Sequence, residues 1–229
     1  MNVRLRRRVS RLAQEFLIIL VGVLAALSVD SWRQNRLDRA RERQYLEQVG
    51  VDSRENLRLI GEAIELEARH MRVAQLLWQA GQLPTAPSAD SVGAWLERRD
   101  GSWWYSDPRL RDGTISALAQ TGDFALVRDT GVRSAILGYV SQLHADLEEF
   151  RRHVQLQLEA ETSLDIRGEV GSALHEPSGL PPDVRAYMAI LADPQGRAAL
   201  ARLLHAYENR IWYLQQMEAA TAELEKLLN

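Results

Sequence analysis

The chain has 229 residues, of which 46% are hydrophobic and 26% charged, enough apolar material for one packed domain. It has no cysteine, which excludes disulfides, thiolate nucleophiles and cysteine-ligated metals. The formal net charge of −3 argues against a general nucleic-acid-binding protein, so we expect no nucleic-acid partner.

The chain begins with a basic tail and an apolar run. Residues 1–14 contain five arginines and no acid. Fourteen uncharged residues follow, between Glu15 and Asp30: Phe16, Leu17, Ile18, Ile19, Leu20, Val21, Gly22, Val23, Leu24, Ala25, Ala26, Leu27, Ser28 and Val29. Such a run indicates a membrane anchor, a cleaved export signal or a buried core helix.

Length and flanking residues favour the anchor. The run alone is about 21 Å long as a helix, but Leu12 to Trp32 covers about 30 Å, the thickness of a hydrocarbon core. Ala26-Leu27-Ser28 resembles a signal-peptide cleavage site. Against cleavage, Glu15 interrupts the entry to the run, and the helical pattern continues to Gln44 without proline or glycine. We therefore predict a transmembrane anchor over residues 15–32 in the lipid bilayer.

Arginines on both sides of the run decide the predicted orientation. Residues 30–43 also hold five arginines, but these are interleaved with three acids. The positive-inside rule keeps an undiluted basic tail in the cytoplasm, whereas a long body is translocated largely regardless of its charge. We expect residues 1–14 in the cytoplasm and residues 33–229 in the periplasm of a bacterial inner membrane. The second arginine group either meets anionic headgroups or forms ordinary pairs on the helix surface.

Gly22 and Ala26 form a small-x-x-x-small pattern within the predicted anchor. This spacing lets two membrane helices approach closely, which favours a homo-oligomer. The alternative is that it reflects the general abundance of small residues in membrane helices.

The body begins with a long amphipathic pattern. Its predicted apolar stripe is Leu46, Val49, Ser53, Leu57, Ile60, Ile64, Ala68, Met71, Ala74 and Trp78. This sustained spacing of three and four predicts a long helix or coiled coil. Gly81 and the prolines of "LPTAPSAD" end it, and Ser88 or Asp90 caps a short helix that contains Val92.

Three adjacent aromatic residues, Trp103, Trp104 and Tyr105, lie between the turn signals Asp100-Gly101 and Asp107-Pro108. They are a candidate surface for a partner or the membrane. The alternative is that one or two of them fill the end of the helical body, since buried aromatics contribute strongly to cores.

Two further long helices are predicted. A short helix over Thr114–Thr121 ends at Gly122, and "DFALVRD" is either a strand-like link or a turn of helix. Asp129 or Thr130 caps the next long helix, with the stripe Val132, Ile136, Tyr139, Leu143, Leu147, Phe150, Val154 and Leu158.

A glycine- and proline-rich loop follows, and then a short helix from Asp183. Asp193-Pro194 starts the last helix, with the stripe Leu200, Leu204, Tyr207, Ile211, Leu214, Met217, Thr221, Leu224 and Leu228. Three narrow stripes must bury one another. The predicted fold is all-α: an N-terminal transmembrane helix running into an antiparallel bundle of three long helices plus short capping helices.

Two blocks of the chain resemble a known family. "EFLIILVGVLAALSVDSWRQ" followed by "ERQYLEQV", and later "ISALAQTGDFALVRDTGVRSAILGYVSQL", are similar to uncharacterised bacterial single-pass inner-membrane proteins with an α-helical extracytoplasmic body. The similarity spans Glu15 to Leu164. The family has no assigned activity, so the resemblance implies location and architecture only.

Motifs for catalysis or cofactors are missing from the sequence. No histidine pair has the spacing of a helical zinc site, and no phosphate-binding glycine loop or nucleophile elbow occurs. We therefore expect no enzyme, metal or cofactor. The predicted function is a membrane-anchored interaction or scaffold protein that binds itself or another envelope protein. The alternative is a helical ectodomain that senses a small-molecule ligand and signals through a membrane partner.

Overall fold

The computed structural model describes residues 3–98, 107–163 and 182–228, and every regular element in these ranges is helical. The elements are α1 (Val3–Ala80), α2 (Ala89–Glu97), α3 (Gly113–Thr121), a 3-10 turn (Asp123–Leu126), α4 (Thr130–Ser163), α5 (Pro182–Ala192) and α6 (Pro194–Leu228). The prediction of an all-helical chain with a long N-terminal helix is confirmed.

Helix α1 is continuous over 78 residues, about 117 Å at 1.5 Å per residue. The apolar run and the first packed helix of the body are therefore one element. Residues 16–37 are exposed throughout, whereas one face of the helix is buried from Val49 onwards. We call the line of buried residues along a helix its seam. The helix ends at Ala80, directly before Gly81 and the proline-containing link, as the sequence predicts.

Side-chain caps and a left-handed glycine set the helix ends. The Ser88 hydroxyl accepts a hydrogen bond from the Ser91 backbone N–H at 3.2 Å and caps α2. Asp129 Oδ1 accepts from the N–H groups of the first residues of α4, at 2.8 Å and 3.1 Å. Gly122 has φ 75°, a conformation that favours glycine, and ends α3. The "DFALVRD" segment contains the 3-10 turn and is therefore not a strand in this structure.

The α5–α6 corner requires glycine at position 196. A Cβ atom on Gly196 would lie 2.4 Å from the carbonyl oxygen of Ile190 and 3.0 Å from its Cα. Asp193 Oδ2 accepts from the Gly196 N–H at 2.9 Å, which caps α6 immediately after α5 ends. The short connection therefore folds α5 back against α6.

The buried line on α1 differs from the predicted stripe. Six residues of the predicted stripe are only half-buried: Leu46, Leu57, Ile64, Ala68, Met71 and Trp78. Of these, Leu46, Ile64, Met71 and Trp78 still pack against the hydrophobic core. The seam instead consists of Val49, Ser53, Asn56, Ile60, Ala63, Glu67, His70, Ala74 and Leu77. Its spacing averages 3.5 residues, the period of helices that wrap around one another. From Val49 onwards, the predicted positions that differ from the seam each lie one residue beyond it, whether the seam residue is polar, as Glu67 is, or apolar, as Leu77 is.

Helix α6 packs along both α1 and α4 and buries its own seam between them. The hydrophobic residues form two clusters. The proximal cluster, nearer the N-terminal run, joins α3 and α4 with the C-terminal half of α6 and Val49, Ile60 and Ala63 of α1. The distal cluster joins α2 and α5 with the N-terminal half of α6 and Val73, Ala74 and Leu77 of α1.

Hydrogen bonds across the helices define their directions. Tyr139 of α4 contacts Asn56 of α1 and Thr221 of α6 at the proximal level. Further along, Arg210 of α6 contacts both Glu67 of α1 and Gln157 of α4. Between these levels the residue numbers rise along α1 and α4 and fall along α6. Helices α1 and α4 therefore run in the same direction, and α6 runs in the opposite one.

Candidate functional site

The apolar run of α1 lies entirely on the surface. The large apolar side chains of residues 16–29 are between 41% exposed, at Leu20, and 71% exposed, at Ile18. An 18-residue window of α1 has a mean hydropathy of 1.8, and none of that window is buried in the protein. By length and composition it is sufficient to cross a bilayer. A contiguous apolar surface of this size is rare on water-exposed proteins and marks a site that something else covers.

Gly22 and Ala26 both lie on this exposed segment. Nothing lies within 4 Å of where a Cβ atom of Gly22 would be, so this face is open. The predicted aromatic surface of Trp103, Trp104 and Tyr105 falls outside the described residues.

Trp32 follows the apolar run and is 61% exposed. The guanidinium carbon of Arg36 lies 5.2 Å from the centre of its ring, within the range of a cation–π contact. An amphipathic aromatic ring at the end of an apolar helix is typical of a membrane interface.

The next three turns of α1 are held against the α3–α4 connection by a polar clamp. The clamp consists of Asn35, Glu42 and Tyr45 of α1 with Asp123 and Arg128 of the connection. The Arg128 backbone N–H donates to Glu42 Oε1 at 2.7 Å, and the Arg128 side chain donates through Nη2 to Asn35 Oδ1 at 3.2 Å. The Tyr45 hydroxyl donates to Asp123 Oδ2 at 2.8 Å, and this hydrogen bond raises the pKa of Tyr45 above its usual value. The clamp therefore joins the exposed part of α1 to the packed body.

Charge is buried between the two hydrophobic clusters. Arg210 is completely buried and donates to Glu67 and Gln157, which are also buried. Its guanidinium carbon lies 5.0 Å from the Phe150 ring centre and 5.8 Å from that of Tyr207. Because these partners come from α1, α4 and α6, this buried polar layer links all three long helices. Removing one partner of such a pair is strongly destabilising.

The walls of the layer continue its polar character. Gln157 Nε2 donates to the Tyr207 hydroxyl at 3.4 Å, and the His70 ring stands edge-on to Tyr207, with centroids 6.1 Å apart. The layer is sealed from solvent, since His70, Gln157 and Tyr207 are at most 2% exposed. The layer therefore lies in the interior of the helical body.

A second, smaller polar contact fastens the irregular segment before α3. Asn56 Nδ2 donates to the Arg111 carbonyl at 2.9 Å, and the Arg111 N–H donates back to Asn56 Oδ1 at 2.6 Å. Tyr139 and Thr221 complete this network from α4 and α6. The end of this segment, directly before α3, is therefore held against α1.

A groove lies between the N-terminal half of α4 and the C-terminal half of α6. It has a volume of about 710 Å³ and is lined in part by Gly131, Ala135, Gly138 and Ala220. Tyr139 and Gln142 are the uncharged polar residues in its wall.

Among residues 3–98, 107–163 and 182–228, no three His, Cys, Asp or Glu side chains are grouped so as to hold a metal ion. Two exposed histidines have polar partners: His144 Nε2 lies 3.6 Å from Asp112 Oδ2, and Asn209 Nδ2 donates to His205 Nε2 at 3.1 Å. No family model, curated protein or solved structure matches the chain.

Sequence reasoning missed the buried polar layer. Glu67, Gln157 and Arg210 stand on the seams of three different helices, and no local spacing connects them. One signal was present: a strict repeat of 3.5 residues carried forward from Val49 passes through Glu67, and the same repeat on α6 passes through Arg210. A charged residue at such a position predicts a buried partner on a neighbouring helix.

Proposed function

We propose that the protein is a membrane-anchored helical interaction or scaffold protein of the bacterial envelope. The observation that carries this proposal is the wholly exposed apolar segment of residues 16–29 on a helix that continues, unbroken, into a packed body. In water this segment would leave all its large apolar side chains uncovered. In a bilayer the lipid covers them, and a helix satisfies its own backbone hydrogen bonds.

The body is proposed to be an antiparallel bundle in which α6 lies between α1 and α4, with α2, α3 and α5 covering its ends. The packing of α6 on both long neighbours and the two shared hydrophobic clusters support this arrangement. The buried polar layer would specify one register of the three helices, a role for which polar seam residues are well attested.

The proposed topology places residues 1–14 in the cytoplasm and the body in the periplasm. The undiluted arginines of the tail support it, as does the resemblance to single-pass inner-membrane proteins with an extracytoplasmic helical body. In this topology the clamp would hold the body in a fixed orientation above the bilayer. The scaffold role follows from that construction: a rigid rod presents the surfaces of α4 and α6 at a set distance from the membrane.

The partner of such a scaffold is proposed to be a second copy of the chain or another envelope protein. The groove between α4 and α6 and the open face at Gly22 are the surfaces of the described chain that could receive it. Crosslinking of the full chain in native membranes, followed by native mass spectrometry, tests this. A defined oligomer or a stoichiometric protein partner is expected, whereas a strictly monomeric chain without a partner would contradict it.

A ligand-sensing ectodomain is the second candidate, favoured only by the size of the groove. About 710 Å³ falls within the range of small-molecule sites, which span roughly 300–1,000 Å³. A thermal-shift screen of the detergent-solubilised chain with metabolites separates the two proposals. A metabolite that raises the melting temperature of the unmodified chain, but not of Gly138→Leu, in which a leucine fills the groove, would favour ligand sensing.

A further inference from the structure

Three arginines form a ladder with Trp32 on the exposed part of α1. Trp32, Arg36, Arg39 and Arg43 follow one another at spacings of four, three and four residues, which places them on one face of the helix. All four side chains are exposed. The clamp occupies a different face, because it uses Asn35, Glu42 and Tyr45.

The side chains of the ladder point towards the apolar run. Side chains on an α-helix tilt towards its N-terminus, which on α1 is the side of residues 16–29. Two contacts follow this direction: Arg36 lies over the ring of Trp32, and Arg43 Nε donates to the Arg39 carbonyl at 3.2 Å. The side chains of Arg36 and Arg43 therefore reach back towards the apolar run.

The carboxylates of Asp38 and Glu42 hydrogen-bond to groups outside the ladder. Asp38 Oδ1 accepts from Gln34 Nε2 at 3.0 Å, and Glu42 Oε1 accepts from the Arg128 backbone N–H at 2.7 Å. In the body, Asp123 accepts from Tyr45, and Asp129 accepts from the first N–H groups of α4. Each of these four carboxylates therefore accepts a hydrogen bond from a group outside the ladder.

The heights of the arginines match a headgroup layer. If Trp32 marks the edge of the hydrocarbon, the Cα atoms of Arg36, Arg39 and Arg43 lie about 6, 10 and 16 Å beyond it along the helix axis. Side chains that lean back bring the first two guanidinium groups to the level of lipid phosphates. The third lies within about one Debye length, roughly 8 Å at physiological salt, of that level.

We propose that the Trp32–Arg36–Arg39–Arg43 ladder binds the phosphate groups of anionic phospholipids in the leaflet next to the body. This inference rests on the proposed function, because it requires the apolar run to lie in the bilayer; it applies whichever side of the membrane the body occupies. Guanidinium groups form charge-assisted hydrogen bonds with phosphate oxygens. Lipid binding would fix the tilt of α1, and the clamp would pass that tilt to the body.

Lipid enrichment around the full chain in nanodiscs tests the ladder. The chain has no cysteine, so Gln44→Cys provides one site for a fluorescent donor on an exposed position off the ladder. Energy transfer is compared for acceptor-labelled phosphatidylglycerol and acceptor-labelled phosphatidylcholine in otherwise identical discs. One arginine near an anionic surface contributes about 1 kcal/mol of attraction, which is a factor of about five. The enrichment of phosphatidylglycerol over phosphatidylcholine should therefore be at least about fivefold, and it should fall at 0.5 M NaCl.

Two triple variants separate the ladder from net charge. Arg36→Gln/Arg39→Gln/Arg43→Gln should clearly lower the preference for phosphatidylglycerol. Arg41→Gln/Arg54→Gln/Arg72→Gln removes the same charge from exposed positions off the ladder and should retain the preference. Equal loss in both triples, or no preference in the unmodified chain, would overturn the ladder.

Insertion is measured first by flotation of the chain with vesicles of phosphatidylcholine alone. A chain that does not float would overturn the proposed anchor and the ladder together. A chain that floats without any preference for phosphatidylglycerol would overturn the ladder and leave the anchor standing. The two failures are therefore distinguishable.

Discussion

Two parts of one helix behave in opposite ways. Residues 16–29 of α1 expose every large apolar side chain, whereas residues 49–77 bury a seam that repeats about every 3.5 residues. The backbone is the same unbroken helix in both parts, so helix formation does not distinguish them. Patterning does: a helix that is apolar all round suits lipid, and a helix with one narrow seam suits neighbouring helices.

The packed part also shows that a seam tolerates charge. Arg210 takes a seam position between the proximal and distal clusters because Glu67 and Gln157 satisfy it from two other helices. The exposed part contains no charged residue over the fourteen positions of its run. Substitutions in the exposed run and in the packed body should therefore have different effects.

The largest effect is expected from charge in the exposed run. Arginine at the centre of a membrane helix costs roughly 2.5–3.5 kcal/mol, so Leu20→Arg/Leu24→Arg should cost about 5–7 kcal/mol of insertion. The measurement is the fraction of the chain retained in membranes after alkaline carbonate treatment, which should fall sharply. Leu137→Arg/Leu156→Arg, at exposed positions on α4, is the matched control and should leave retention unchanged.

The next largest effect is expected in the buried polar layer. Arg210→Ala leaves Glu67 without its charged partner in the interior and should lower the free energy of unfolding by roughly 3–5 kcal/mol. Urea titration of the detergent-solubilised chain provides the measurement. Arg210→Met/Glu67→Leu/Gln157→Met replaces the layer with apolar groups and should recover most of the loss. A loss below about 1 kcal/mol in the single variant would contradict the layer's structural role.

A cavity in the proximal cluster should have a comparable or smaller effect. Leu214 is completely buried, so Leu214→Ala should lower the free energy of unfolding by roughly 2–5 kcal/mol. Leu137 is 50% exposed, and Leu137→Ala should change the free energy of unfolding by no more than about 0.5 kcal/mol. Equal effects of the two substitutions in the same urea titration would show that α6 does not pack as described.

The smallest effect is expected at the start of α4. Asp129 caps two backbone N–H groups, and Asp129→Ala should lower the free energy of unfolding by about 1 kcal/mol. Asp129→Asn keeps a capping oxygen and should retain most of the stability. If both variants lost the same amount in the urea titration, the negative charge rather than the cap would be responsible.

Much of the secondary structure was accessible from local chemistry. The end of α3 at Gly122, the cap at Ser88 and the proline-containing start of α6 each depend on a residue whose preference acts within one turn. The continuity of α1 from the apolar run into the body follows in the same way, because no proline or glycine interrupts residues 30–44.

The buried polar layer and the clamp could not be predicted in this way. Arg128 meets Asn35 and Glu42 across more than 80 residues of chain, and Arg210 meets Glu67 across 143. Such pairs depend on how helices wrap and on their relative heights, which periodicity alone leaves open.

The most direct test of the account is the fate of the N-terminal segment. Membranes of cells expressing the unmodified chain are washed with alkaline carbonate, and the intact mass of the protein is determined in pellet and supernatant. The account predicts a pelleted protein whose mass includes the apolar run, Phe16 to Val29. A soluble protein whose mass begins at Val29, after the Ala26-Leu27-Ser28 site, would contradict it.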